Sequence, residues 1–279
     1  MKLKFNNHLF DFSRRTYVMG ILNVTPDSFS DGGRFFDKER AVEQALRMQE
    51  EGADIIDIGG ESTRPGAEKI SVRKEISRVV PVIQALSDKV RIPISIDTYK
   101  SDVAEEAVSA GASMINDISG LRFDPRMPRV AARHQVPVVI MHIKGTPRNM
   151  QKNPSYQSLI PEIADYLRKS IEVARGAGIA DDKIIIDPGI GFGKTLEHNI
   201  EIIRKLDKFS GLERPILVGP SRKSFIGKIL GDLSVTERVE GTAAAVAICI
   251  FNGANIIRVH DVKEMTRVAK VADRIKKGF

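Results

Sequence analysis

Short apolar segments rich in β-branched residues alternate along the chain with longer amphipathic ones. Runs of about four to eight apolar residues bounded by Gly, Pro or polar residues are typical of buried strands. The predicted strands span 17–24, 54–59, 93–97, 113–117, 137–142, 183–187, 215–219 and 255–260. Strands that alternate with helices indicate a parallel sheet, and eight such units in about 250 residues fit an α/β, (β/α)8 TIM barrel. A doubly wound open sheet is the alternative.

The first sixteen residues have a different pattern, in which polar and apolar side chains alternate around Asn6 and Asn7. This predicts a short N-terminal β-hairpin. The segment has neither the continuous apolar core nor the small-residue cleavage site of a signal peptide. Because no linker or low-complexity stretch interrupts the chain, residues 1–279 are predicted to form a single domain with the hairpin at 1–16.

Polar residues end the predicted strands, whereas the strand interiors are apolar. The strand-end residues are Asn23, Asp57, Asp97, Asn116, Asp117, His142, Asp187, Arg258 and His260, and the seventh strand leads into Ser221, Arg222 and Lys223. In a barrel these ends meet on one face, where the active sites of such enzymes lie. A single Asp at a strand end can be a helix N-cap. Polar residues at eight strand ends predict a ligand site.

Composition and charge narrow the range of partners. The formal charge is +7, from 43 basic and 36 acidic residues, but the basic residues are spread along the chain. This favours a solvated surface over a nucleic-acid interface. Cys249, the only cysteine, lies in an apolar run and is predicted to be buried, so no disulfide can form within the chain. No apolar run is long enough to span a bilayer. We therefore expect a cytoplasmic protein that binds neither membranes nor nucleic acid.

The glycine-rich stretch DPGIGFGKT, residues 187–195, resembles two phosphate-binding motifs and matches neither. A P-loop requires glycine where Pro188 stands, and a dinucleotide-binding loop requires glycine where Lys194 stands. Asp187 would also repel a nearby phosphate. A buried carboxylate needs hydrogen-bond donors, so we expect Asp187 to face an N–H-rich edge of a ligand. The glycines permit a tight turn or a close approach to a flat ligand.

Seven segments together resemble the dihydropteroate synthase family. They are MGILNVTPDSFSDGG (19–33), DIGGESTRPGA (57–67), SIDTYK (95–100), INDISG (115–120), DPGIGFGK (187–194), SRKSFIG (221–227) and RVHDV (258–262). The resemblance covers nearly the whole chain and departs at Ile143, where methionine is more usual. It implies condensation of 6-hydroxymethyl-7,8-dihydropterin diphosphate with p-aminobenzoate, with release of diphosphate, in folate synthesis. Sulfonamides resemble p-aminobenzoate and are expected to compete for its site.

The resemblance assigns the pterin to the strand ends. A carboxylate can accept both N–H groups of the aminopyrimidinone edge, as it does from an arginine fork, and Asp187 is the candidate. Asp97 and Asn116 are expected at the ring nitrogens of the other edge, and Lys223 at the ring carbonyl and N5. Met141 and Phe192 are expected as flat walls, although core packing is the alternative for Met141.

The diphosphate requires cations and neutral donors. Arg258 and His260 alternate along the last predicted strand and therefore point to one side. A hydrogen-bonded core histidine is the alternative for His260. Thr63 and Arg64 are the predicted loop contacts. Asn23 is the predicted protein ligand of a Mg²⁺ ion that arrives with the diphosphate and bridges its oxygens.

The reaction is expected to pass through a dissociative, cation-like transition state. Asp31, in a predicted mobile loop, is the candidate that stabilises the cation. Arg64, which can close over the diphosphate, and Lys223 complete the predicted catalytic set. The predicted p-aminobenzoate pocket consists of Phe29, Thr63, Pro65, Phe192 and Ser224. For Pro65 a simple turn is the alternative.

Three other functions remain alternatives. They are a pterin-binding module that presents methyltetrahydrofolate to a corrinoid protein, a barrel that binds without catalysis, and a metal-dependent barrel hydrolase. The hydrolase is disfavoured because the five histidines do not form a His-x-His pair. The segment 237–254 is apolar almost all round, so we expect a homodimer in which a partner subunit covers part of this helix.

Overall fold

The computed structural model describes residues 1–5, 8–25 and 34–278. Two short antiparallel strands come first, β1 (Lys2–Phe5) and β2 (His8–Asp11), and they confirm the predicted hairpin. Parallel strands follow at β3 (Tyr17–Asn23), β4 (Ile55–Gly59), β5 (Ile94–Asp97), β6 (Met114–Asp117), β7 (Val138–Met141), β8 (Ile184–Asp187), β9 (Leu217–Val218) and β10 (Ile256–Val259). All eight lie within or at the ends of the predicted strands.

The parallel strands form a nearly closed barrel in the order β8-β7-β6-β5-β4-β3-β10-β9. The two ends of this order meet where Ile186 bridges Ile216. At that junction the amide of Ile186 donates to the carbonyl of Pro215 over 2.9 Å. The predicted TIM barrel is therefore confirmed, and the open-sheet alternative is wrong.

Helices surround the barrel. They are α1 (Arg34–Glu50), α2 (Val72–Ser87), α3 (Ser101–Ser109), α4 (Met127–His134), α5 (Leu159–Gly176), α6 (Leu196–Arg204), α7 (Ser224–Ile229), α8 (Val239–Phe251) and α9 (Val262–Lys277). Alternate strand residues such as Leu22, Ile56 and Ile58 point outward and pack against helix residues such as Val79 and Ile83. No helix in the described part of the chain is both long and apolar enough to cross a bilayer. The cytoplasmic location and the single domain stay predictions.

The N-terminal hairpin plugs the end of the barrel where the strands begin. Leu3, Phe10 and Phe12 form one buried cluster with Tyr17, Met19, Ile55, Met114, Val139, Ile185, Leu217 and Ile256. The rings of Phe10 and Tyr17 meet edge to face, with centroids 4.5 Å apart. This end is apolar and filled, so it leaves the opposite end for polar chemistry.

The plug predicts a contrast between two leucines of the hairpin. Leu3 is fully buried, whereas Leu9 is 57% exposed. Leu3→Ala should lower the free energy of unfolding by about 2–5 kcal/mol, because it leaves a cavity under the barrel. Leu9→Ala should change it by less than about 0.5 kcal/mol. Urea unfolding measures both, and equal midpoints for the two variants would show that the hairpin does not contribute to the core.

Candidate active site

The carboxyl ends of the strands place polar side chains inside the barrel mouth. Asp97 of β5 lies beside Asn116 of β6 in register, and Met141 of β7 lies beside Asp187 of β8. Met114, Val139 and Ile185 face inward two positions before Asn116, Met141 and Asp187, and the buried Ser95 takes this position before Asp97, so all four point to the same interior. The predicted ligand site at the strand ends is therefore a real cluster of side chains.

Arg258 of β10 occupies the centre of this cluster. Its Nε donates to Asp57 Oδ2 over 2.6 Å, and its Nη2 donates to Asp97 Oδ2 over 2.7 Å. Asn116 Nδ2 donates to the same Asp57 oxygen over 3.0 Å. Burial raises the pKa of Asp97 to about 7, and Arg258 opposes that rise. Arg258 therefore balances two buried carboxylates and orders the neighbouring amide.

Two oxygens of this cluster have no hydrogen-bond partner among the described residues. They are Asp57 Oδ1 and Asp97 Oδ1, and both are buried. A buried acceptor that is not hydrogen-bonded costs about 1–3 kcal/mol. Asp97 lies at the strand end, so its free oxygen is placed to accept from a ligand in the mouth. Asp57, two residues before the end of β4, braces its neighbours.

The glycine-rich loop after β8 forms a tight turn around Asp187. The Asp187 Oδ1 atom accepts the amide of Gly189 over 2.7 Å. Gly189, Gly191 and Gly193 all have left-handed φ angles, +71°, +83° and +66°. A Cβ at Gly189 would overlap the carbonyl oxygen of His142, and one at Gly193 would lie 2.6 Å from the carbonyl oxygen of Lys144. The glycines therefore serve the turn and its packing on the segment after β7.

Buried cations face Asp187. Burial raises the pKa of Asp187 to about 6, while Lys223, Lys194 and Arg258 act in the opposite direction. Burial and Arg258 lower the pKa of Lys223 to about 8. The Lys223 ammonium lies 4.2 Å from the centroid of the Phe192 ring. Charges of both signs thus stand beside one flat aromatic wall.

Met141 and Phe192 belong to a small apolar cluster at the mouth. Met141 is 4% exposed and Phe192 is 9% exposed. Their apolar neighbours are Tyr99, Ile118, Ile143 and Met150. Both residues predicted as flat walls therefore lie on one side of the mouth, next to Asp187. Ile143, the departure from the family pattern, fills the same cluster.

His260 is held by the loop that follows β9. The Ser221 hydroxyl pairs with His260 Nδ1 over 3.0 Å and accepts the backbone amide of His260 over 3.2 Å. Burial, with Arg258 next, lowers the pKa of His260 to about 3. The ring is therefore neutral at neutral pH, and in the tautomer whose Nδ1 accepts from Ser221 it carries its proton on Nε2. In that tautomer His260 is a neutral donor at the rim. Arg222 donates through Nε and Nη2 to the two carboxylate oxygens of Asp261, so its role is structural.

The loop that carries Thr63, Arg64 and Pro65 is clamped at its base by buried charges. Glu61 accepts from the amide of Ile70 over 3.0 Å, from the Tyr99 hydroxyl, and from Lys100 Nζ over 2.5 Å. Lys100 also contacts Glu75 over 2.6 Å. Residue 61 is thus tied to residue 70, while Arg64 between them is exposed. The base of the loop is fixed and its tip reaches into solvent.

The remaining predicted residues lie around this cluster. Asn23 ends β3 beside Gly59. A Cβ on Gly59 would lie 3.8 Å from Asn23 Oδ1 and 3.7 Å from Asp97 Oδ2, so these two oxygens are near each other. Ser224 begins α7 at the surface. Phe29 and Asp31 lie outside the described residues. Within the described ranges, no group of three His, Cys, Asp or Glu residues could hold a metal ion.

Asp117, named from the sequence as a strand-end residue, accepts the amides of Ser119 and Leu121, which fixes the turn after β6. Several neighbours of the site were not predicted from the sequence. They are Glu61, Glu75, Tyr99, Lys100, Ser221 in its contact with His260, and the buried Lys194, which contacts His142. The sequence shows that these residues lie at strand ends or within the motifs. It does not show their contacts, because most of the partners lie far away along the chain.

The overlap at Gly189 predicts that alanine is not tolerated there. Gly178 also has a left-handed φ, +93°, but a Cβ at Gly178 would meet nothing within 4 Å. Both alanine variants carry the backbone strain of about 1–2 kcal/mol, and only Gly189→Ala adds the collision with His142. Gly189→Ala should therefore lower the melting temperature several degrees further than Gly178→Ala. Equal melting temperatures would mean that the loop shifts freely away from His142.

Comparison with known proteins agrees with this geometry. A family model described as pterin binding enzyme matches residues 19–260. A dihydropteroate synthase of Synechocystis sp. is 52% identical over 267 residues, which are 96% of this chain and 92% of that protein.

Two solved structures share the fold closely. A dihydropteroate synthase from Clostridium difficile, solved in the presence of pteroic acid, has a TM-score of 0.90 and 48% identity, covering 95% of this chain and 98% of that one. A dihydropteroate synthase from Yersinia pestis, solved with a sulfonamide drug complex, has a TM-score of 0.93 and 44% identity. It covers 99% of this chain and 100% of its own.

Proposed function

Because the chain belongs to the pterin-binding enzyme family, among the dihydropteroate synthases, we propose that it is a transferase that makes dihydropteroate. It condenses 6-hydroxymethyl-7,8-dihydropterin diphosphate with p-aminobenzoate and releases diphosphate. One observation carries the proposal: three carboxylates and three cations, each buried or half-buried, converge at the barrel mouth, where Phe192 lies against Lys223. Acceptors of this kind suit a flat heterocycle with several N–H groups.

Pterin recognition follows from the free hydrogen-bonding positions in the mouth. Asp187 uses Oδ1 for Gly189, which leaves Oδ2 for the aminopyrimidinone edge. Asp97 Oδ1, which is without a hydrogen-bond partner among the described residues, and Asn116 are proposed to contact the opposite edge, and Lys223 the ring carbonyl and N5. Met141 and Phe192 provide the flat contact. Each of these residues lies on a strand end or on a turn that is fixed by its own hydrogen bonds.

Release of diphosphate requires donors at the rim. His260 offers a neutral N–H group, and Arg258 offers a guanidinium that two carboxylates already balance. Additional positive charge must therefore come from the loop residue Arg64, with Thr63 as a neutral donor. Stabilising the leaving group in this way favours a cation-like carbon at the transition state. Asp31 is proposed to stabilise that cation, and it lies outside the described residues.

A Mg²⁺ ion is proposed to accompany the diphosphate. The carboxamide oxygen of Asn23, half-buried at the end of β3 and close to Asp97, is the kind of ligand that this ion accepts. One protein ligand fits an ion that keeps most of its bonds to phosphate and water. When bound, the ion would neutralise charge that develops on the diphosphate oxygens.

The p-aminobenzoate pocket is proposed to form between the clamped loop and α7. Thr63, Pro65, Phe192 and Ser224 supply its described part, and Phe29 is proposed to close it. Holding the weak amine against the cation can contribute up to about 7–11 kcal/mol to the barrier reduction. Sulfonamides are proposed to compete in this pocket, which the Yersinia pestis complex supports.

Diphosphate release tests the function. The pure protein would be mixed with the dihydropterin diphosphate and Mg²⁺, with and without p-aminobenzoate. Release that depends on p-aminobenzoate and yields dihydropteroate is expected. Release without p-aminobenzoate would contradict the second pocket. Pterin binding with no release, together with methyl transfer to a corrinoid protein, would favour the binding-module alternative.

Asp187→Asn should weaken pterin binding and leave the fold intact. The amide loses one acceptor and its charge, so affinity for pteroic acid should fall about 30- to 150-fold, or about 2–3 kcal/mol. Asp182→Asn is the matched control, because Asp182 is exposed just before the same strand. Calorimetry measures affinity, and circular dichroism checks the fold. Unchanged affinity in a folded Asp187→Asn protein would refute this role.

A homodimer is also proposed, from the open apolar face of α8 and α9. Ile248 and Phe251 of α8 are 50% and 51% exposed, and Val271 and Ile275 of α9 are 60% and 67% exposed. The two helices pack side by side, so these side chains form one patch. Patches of this kind mark subunit contacts.

Sedimentation velocity tests the dimer. The wild type should sediment as twice the 30.9 kDa chain at micromolar concentration. Phe251→Glu should shift it towards the monomer, because a charge cannot be buried cheaply in the contact. Leu9→Glu, at an exposed leucine of the N-terminal hairpin outside α8 and α9, is the control and should remain dimeric. A monomeric wild type would exclude the dimer.

A further inference from the structure

Lys194 is a buried lysine without a carboxylate partner among the described residues. Only 3% of its surface is exposed, and its Nζ contacts His142 Nδ1 and the carbonyl of Phe192, each over 2.9 Å. Burying a charged amine costs free energy unless the amine is well paired. Both of its partners are neutral, so the position of Lys194 requires another explanation than an ion pair.

The contacts of the glycine-rich loop suggest what Lys194 does. Three successive carbonyls of that loop each accept a hydrogen bond from a side chain. Gln151 Nε2 donates to Gly191 over 2.8 Å, and the Tyr156 hydroxyl donates to Gly193 over 2.8 Å. Lys194 holds the middle carbonyl, that of Phe192, from the buried side. The backbone of the aromatic wall is thus fixed from both sides.

The hydrogen bond between Lys194 and His142 can form throughout the neutral pH range. Burial, followed by Lys194, lowers the pKa of His142 to about 2, so its ring stays neutral and Nδ1 can accept. Burial lowers the pKa of Lys194 to about 7, with Asp187 opposing and Lys223 adding to the effect. An ammonium has three N–H donors and an amine has two, so either form can serve both acceptors.

Asp187 is coupled to Lys194 through charge and not through a hydrogen bond. Its carboxylate is fixed by the amide of Gly189, which lies before the Phe192 carbonyl in the turn. Phe192, in contrast, is held directly by Lys194 and places its ring against the Lys223 ammonium. The pterin has further proposed contacts at Met141, Asp187, Asp97 and Asn116, so a loose Phe192 would disturb the arylamine more than the pterin.

We propose that Lys194 is a positioning residue for the p-aminobenzoate pocket: through the Phe192 carbonyl and His142, it holds the Phe192 ring beside Lys223. This role rests on the proposed synthase function. It makes the lysine of the glycine-rich stretch a specificity determinant for the arylamine. The ammonium acts on the protein backbone, so it touches neither substrate.

The test compares Lys194→Met with Lys183→Met. Lys183 also donates to a backbone carbonyl, that of Gln135, but at the opposite end of β8. In Lys194→Met, the KM for p-aminobenzoate should rise about tenfold, as expected for one lost charge-assisted hydrogen bond. The affinity for 6-hydroxymethylpterin, a probe without the arylamine, should change less than about threefold. Lys183→Met should change neither. A purely structural role would instead alter both ligands together.

A fluorescence measurement gives a second readout. The chain contains no tryptophan, so Phe192→Trp introduces a single probe at the wall. Anisotropy decay should show greater local motion of this indole when Lys194→Met is added, and unchanged motion when Lys183→Met is added. Lys194→Gln, which keeps an NH2 donor group without the charge, serves as a second variant and should give intermediate values in both measurements.

The outcomes distinguish a failure of the proposed synthase function from a failure of the proposed role of Lys194. If the wild type shows no p-aminobenzoate-dependent diphosphate release, the synthase function fails. If the wild type is active but both Lys194 variants match Lys183→Met in KM, pterin affinity and anisotropy, the positioning role is wrong. Equal losses for p-aminobenzoate and the pterin probe would also overturn it.

Discussion

Buried charge in the barrel mouth must be balanced, and the upper half of the structure depends on that constraint. Asp57, Asp97 and Asp187 share a small interior with Arg258 and Lys223. Burial alone favours the neutral form of each group, which is why the pKa of Asp187 rises to about 6 and that of Lys223 falls to about 8. Arg258 remains charged because its pKa, which burial lowers, is raised further by Asp57 and Asp97. Removing one partner would leave an uncompensated charge for the others.

The lower half of the barrel, where the strands begin, is filled with apolar side chains instead of charged ones. Met19, Ile55 and Ile256 fill it from the strands, and the hairpin closes it from below. On β4 and β10 the apolar residue and the charged one are two positions apart, at Ile55 and Asp57 and at Ile256 and Arg258. A spacing of two keeps both on the inner face. Both strands therefore contribute to the apolar plug and to the polar mouth, and in the described part of the chain the mouth is the end that is left open to a ligand.

The fold could be predicted because its signals are local. Runs of β-branched residues mark each strand, and the polar residue that ends the run marks the mouth. Asp187 could be separated from phosphate-binding loops by counting glycines. The partners of Arg258 could not be predicted, since Asp57 and Asp97 lie 201 and 161 residues away. The same holds for Glu61, whose contact with Lys100 spans 39 residues. Sequence position shows which side chains reach the interior, and only the closed barrel shows which of them meet.

The two substrates are proposed to be bound by different kinds of structural element. The proposed pterin contacts come from strand ends and from a turn in which three consecutive carbonyls are hydrogen-bonded by side chains. The proposed diphosphate and arylamine contacts include Thr63, Arg64 and Pro65. Their loop is held at its base by Glu61 and Lys100 and near its tip by the amide of Gly66, which donates to the carbonyl of Pro147 over 3.0 Å. Groups on strand ends can recognise a flat ring without rearrangement, whereas the exposed tip of a loop can move when a substrate binds or leaves. The Phe192 wall borders both regions. If Lys194 holds this wall as proposed, the preformed half of the site also positions the arylamine that the loop encloses.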